Sequence, residues 1–146
     1  MIVHKLMKTL LTLLLCCVSS SAQTVSSDFD ALVDRYLDAY FQFHPSSATA
    51  AGFHQYDTEL EDLAPQTVKA ELASLSQFQT EFDRFPKTQL SETAAGDFEF
   101  VDSTIKARIL DLQTTQSWRR DPDFYTQTAS GSIFLIMKRN FAPQAE

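Results

Sequence analysis

Phe29-Asp30-Ala31-Leu32-Val33-Asp34-Arg35-Tyr36-Leu37-Asp38-Ala39-Tyr40-Phe41 is the stretch whose reading decides the fold class. Its apolar residues Phe29, Leu32, Val33, Tyr36, Leu37, Tyr40 and Phe41 fall at i, i+3, i+4, i+7, i+8, i+11 and i+12. That spacing puts them on one side of an α-helix. Asp28, Asp34, Arg35, Asp38 and Gln42 occupy the opposite side. Ser27 is placed to cap the helix, with Asp30 three residues on as in a capping box. Pro45 stops it, and His44 before the proline is biased away from helical angles.

Downstream the same logic repeats. Ser46 to Ala51 is small and helix-tolerant, one or two turns that Gly52 can close. Phe53 to Leu63 reads as a solvated acidic loop with Asp57, Glu59, Glu61 and Asp62. Pro65 suits the first position of a helix, where its missing N–H costs nothing. Val68, Leu72, Leu75, Phe78, Phe82 and Phe85 carry that helix's stripe to Pro86. Ser91 caps a third helix, and Glu92 sits in its first turn, where the helix dipole favours an acid. Ala94, Ala95, Phe98, Val101, Ile105, Ile109 and Leu112 form its buried side. A fourth helix is expected from Pro122 to about Asn140. Its Ile133-Phe134-Leu135-Ile136-Met137 is apolar on all sides and calls for more protein around it than four helices provide. The expectation is an all-α chain of about four amphipathic helices with short loops. Three glycines and no Asn-Gly or Asp-Gly turn point away from a sheet.

Upstream of the first helix the pattern changes. Met1 to Lys8 holds His4, Lys5 and Lys8 and no acid; Thr9 to Val18 is an apolar run; Ser19, Ser20, Ser21 and Ala22 are small. This is the order of a secretory signal peptide, with cleavage expected between Ala22 and Gln23. The run is too short to stay as a spanning helix, which needs ~20 residues. Cys16 and Cys17 close the run, and lipidation there is the alternative; neither follows the small residue that a lipid-modified cysteine usually has before it. Residues 23–146 then form one helical region destined for the periplasm or the exterior, with no stable membrane anchor. Loss of residues 1–22 removes both cysteines, Lys5 and Lys8, leaving 10 basic against 19 acidic side chains, a balance of −9. Such a charge is unsuited to nucleic acid or to anionic membrane surfaces.

Several residues invite a chemical reading. His44 and His54, near Asp57, Glu59, Glu61 and Asp62, are zinc-ligand types. Their spacing is not the i, i+4 of a helical histidine pair, and capping or packing explains them better. The acidic loop lacks the Asp/Asn ladder and central glycine of a calcium loop. Trp118-Arg119-Arg120-Asp121 could hold an anion or stack on a ligand, but reads first as a helix end, with Arg side chains on terminal carbonyls and the indole in the core. No serine sits in a nucleophile-elbow sequence, and there is no Gly-rich phosphate loop. No catalytic, cofactor-binding or metal-binding residue is assigned from the sequence.

A combination of motifs carries a resemblance. The run from Phe29 to Phe41 is followed by His44-Pro45, Ala48-Thr49-Ala50, Gly52, His54, Tyr56-Asp57 and Leu60. Later come Trp118-Arg119-Arg120-Asp121-Pro122-Asp123-Phe124-Tyr125 and Phe141-Ala142-Pro143. Together they resemble the start of the bacterial domain-of-unknown-function family numbered 885. The resemblance implies a long, helical, exported protein of zincin type. In it, a His-Glu-x-x-His helix later in the chain holds zinc and activates a water to cut peptides. This sequence has no His-Glu pair, so none of those roles passes to its residues.

The resemblance therefore implies the N-terminal part of a metallopeptidase-like protein, from a fragmentary record or a truncated gene, in which zinc and the peptide substrate belong to a full-length parent. A small exported helical binding module is the alternative, and a decayed gene a third reading.

Overall fold

The computed structural model describes residues 25–138. The signal segment, Cys16, Cys17, the Ala22–Gln23 cleavage point, Asn140 and the Phe141-Ala142-Pro143 motif lie outside the described residues. Within them there is helix and no strand. Helix α1 covers residues 25–43; α2 is Pro45–Ala51, α3 Pro65–Arg84, α4 Glu92–Leu110, α5 Ser117–Arg120 and α6 Pro122–Lys138. Single 3-10 turns occupy His54–Tyr56 and Lys87–Gln89, and a π turn, Asp111–Thr115, extends α4.

The punctuation follows the residue chemistry. His44 leaves the helical region (φ −129°, ψ 61°), and Pro45 opens α2. Gly52 closes α2 at φ 99°, where a side chain would be strained. Pro65 opens α3. The Ser91 hydroxyl accepts the Ala94 N–H at 3.2 Å, capping α4.

Two sequence expectations fail at α1. Ser27 is not its cap, because the helix already includes Val25, which prolongs the stripe four residues before Phe29 and is half-buried. Leu37 lies off the buried face and is exposed. At the far end of α4, the helix runs only to Leu110, and the π turn carries Leu112 into the core.

Side-chain pairs establish the topology. Phe29 meets Phe85 and Tyr36 meets Phe78, both at 5.7 Å between ring centroids, so α1 and α3 run antiparallel. Phe82 meets Phe98 at 5.2 Å, and Glu71 meets Arg108, so α3 and α4 are antiparallel too. The three long helices enclose one core of Phe29, Leu32, Tyr36, Val68, Leu75, Phe78, Phe82, Phe98, Ile105 and Leu112. Edge-on and tilted aromatic pairs of this kind add about 0.5–1.5 kcal/mol each beyond burial.

Helix α6 stands apart from that core and packs on α2 and α5. Of its residues only Ser132 is buried. Ile133, Phe134 and Met137 are 49%, 62% and 79% exposed. No described helix is long and apolar enough to cross a membrane.

Candidate functional site

The polar end of the bundle is built around Glu71. In α3 it takes the place an apolar residue would hold, three residues after Val68 and four before Leu75, so the stripe carries it inward. Its side chain is 8% exposed. Arg108 reaches it from α4 as a fork, Nε to Oε1 at 2.8 Å and Nη2 to Oε2 at 2.9 Å. His44, at the break between α1 and α2, brings Nε2 to 3.0 Å from Oε1. A carboxylate only accepts, so the imidazole donates from Nε2. The His44 ring also stacks on Tyr40 with centroids 4.4 Å apart.

The network continues outward. Arg108 Nη1 donates to Asp111 at 3.2 Å, and Ser117 donates to the other oxygen of Asp111 at 2.7 Å. Burial pushes the Glu71 carboxyl up, but the hydrogen bonds from His44 and Arg108 and their charges outweigh it, bringing its pKa down to about 2. Burial disfavours the Arg108 guanidinium, and the Glu71 hydrogen bonds and charge reverse this and raise its pKa.

A second polar cluster ties α2 to α6. Glu61 accepts the Ser46 N–H at 3.2 Å and the Ser46 hydroxyl, and its other oxygen accepts the Ser132 hydroxyl. Burial again pushes this carboxyl up, yet the hydroxyls of Ser132 and Ser46 and two backbone N–H groups hold it below the usual range. Next to it, Asp62 accepts the Ala64 N–H at 3.0 Å and the Thr67 hydroxyl at 2.5 Å, closing the start of α3. The acidic loop is therefore not simply solvated: two of its four acids hold helices in place, because a carboxylate beside free helix N–H groups and hydroxyls is better satisfied there than in a mobile loop.

Between the two clusters lies a cavity of about 170 Å³. Phe43 walls it from the end of α1, His44 from the break after it, Leu63 from the loop, Glu71 and Arg108 from α3 and α4, and Phe124 and Thr128 from α6.

The residues singled out from sequence separate. His44 joins the Glu71 network. His54 pairs locally with Asp57, Nδ1 to Oδ2 at 3.0 Å, well exposed. Trp118 packs against the core and donates from Nε1 to the Leu112 carbonyl at 3.3 Å, with the Arg119 guanidinium 5.7 Å over its ring. Asp121 accepts the Asp123 N–H at 2.9 Å and starts α6. The segment is a joint between helices.

Among the described residues, no three His, Cys, Asp or Glu side chains cluster so as to hold a metal ion. Sequence reasoning missed Glu71, Arg108, Ser46 and Ser132. The one available signal was register: Glu71 and Arg108 both fall on apolar stripes. None of the protein-family models, curated proteins or solved structures compared with the chain matches it.

Proposed function

We propose that this chain is the N-terminal helical region of an exported zinc-metallopeptidase-like protein, and that its own residues perform no peptide hydrolysis. The observation that carries the reading is the uncovered apolar side of α6. Ile133, Phe134 and Met137 stand in the open on a helix with two charged residues, Asp123 and Lys138. An apolar face of this kind marks a surface that packs against more protein. The motifs around His44-Pro45 and Trp118 to Tyr125 support the family from which the parent is inferred. The metal and the peptide substrate are assigned to the parent, because the sequence has no His-Glu pair. Residues 1–22 direct export to the periplasm or beyond.

Reading the coding DNA beyond the codon for Glu146 tests the proposal. An in-frame continuation containing His-Glu-x-x-His supports it, and a stop followed by unrelated sequence counts against a fragmentary record. Residues 23–146 with added zinc are expected to show no peptidase activity. A second reading, a self-standing helical interaction module, is favoured by the closed core in which Phe82 and Ile105 are 1% and 0% exposed. A sharp, reversible melt of a monomeric 23–146 chain would favour the module; broad unfolding with aggregation would favour the fragment.

A further inference from the structure

Three features of α6 belong together. It contributes a single buried residue, Ser132, and that residue is polar. Its apolar side chains Ile133, Phe134 and Met137 face solvent instead of the core. Its Phe124 and Thr128 form one wall of the 170 Å³ cavity whose floor holds Glu71 and Arg108. Segments with few buried apolar contacts open locally at far lower cost than the core that carries them.

The two ends of α6 are held differently. Before it, α5 is anchored by Trp118 on the core. Asp121, in extended conformation (φ −115°, ψ 107°), then joins α5 to α6. Further along, the Glu61 carboxylate bridges Ser46 of α2 and Ser132 of α6. The two serine hydroxyls lie 3.3 Å apart.

We propose that α6 is a hinged cover over the cavity, turning about Asp121 and held shut by the Glu61 carboxylate between Ser46 and Ser132. Opening parts the Phe124–Thr128 wall from Leu63 and admits solvent to the Glu71–Arg108 floor while the α1–α3–α4 core stays folded. This goes beyond the reading above and does not depend on zinc, peptides or a longer parent.

Amide hydrogen exchange on the full chain, with Cys16→Ser and Cys17→Ser, tests it. Residues 122–138 are expected to exchange at least about tenfold faster than the buried stretches of α3 and α4. Glu61→Gln removes a charged hydrogen-bond acceptor and is expected to speed exchange in α6 about tenfold more, leaving α3 and α4 unchanged. Ser132→Ala serves as a second variant and should act in the same direction.

In the pair Ser46→Cys with Ser132→Cys, a disulfide should form with only a small shift. It should slow α6 to near the α3 rate, and reduction should restore the fast rate. Equal exchange in α6 and α3, or Glu61→Gln accelerating α3, α4 and α6 alike, would overturn the proposal by making α6 part of one cooperative unit. Failure of the two cysteines to join would overturn the latch.

Discussion

Replacing Glu71 by Gln keeps its shape and removes its charge. The size of the effect follows from the carboxyl's environment. A fall in pKa from 4.5 to about 2, at about 1.4 kcal/mol for each tenfold in acidity, makes the charged form worth about 3 kcal/mol to the folded state. The folded pKa lies below the unfolded one, so this stability is fully present above the unfolded value and is lost as pH falls from about 5 toward 2. Glu71→Gln is therefore expected to cost about 2–3 kcal/mol at pH 7, a large share of the ~5–15 kcal/mol of an ordinary domain.

Urea unfolding of both proteins at pH 7, 5, 3 and 2 measures it. The gap between them should hold from pH 7 to 5 and close below. Replacing both partners, Glu71→Met with Arg108→Leu, should cost much less than the single change, because no charge is left buried alone. A single-variant cost under about 0.5 kcal/mol at pH 7, or a gap that stays constant down to pH 2, would refute the assignment of that stability to the ion pair.

Tyr36 offers the opposite sign. Burial, then the negative charges of Tyr40 and Glu71, raises its phenol pKa to about 12, so stability should drop as pH climbs from 10 to 12, and Tyr36→Phe should flatten that alkaline loss in melts across the range. Ile105→Ala empties a fully buried site in α4 and is expected to cost about 2–5 kcal/mol in urea unfolding. Gly96 lies inside α4 with nothing within 4 Å of where a Cβ would sit. Gly96→Ala should therefore stabilise by about 0.5–1 kcal/mol, seen as a higher melting temperature.

Much of the chain's architecture is local physics. Apolar spacing in Phe29 to Phe41, Val68 to Phe82 and Phe98 to Ile109 needs no partner to be seen. Nor do the breaks at Pro45, Pro65 and Pro122 or the Ser91 cap, since each depends on residues within a turn or two. The end of α4 is not legible from periodicity, because the π turn Asp111–Thr115 departs from the 3.6-residue period there while still carrying Leu112 into the core.

The long helices, their order and most of each buried stripe, Leu37 excepted, thus follow from the sequence by itself, since an amphipathic helix writes its own face in a period of 3.6 residues. Only the tertiary structure decided that His44 and Arg108 converge on Glu71 from 27 and 37 positions away. The same holds for Glu61 joining Ser46 to Ser132, two serines 86 positions apart. Periodicity reports which side of a helix turns inward. It carries no information about which polar group on another helix will stand opposite, and that is settled by how the antiparallel helices register against one another.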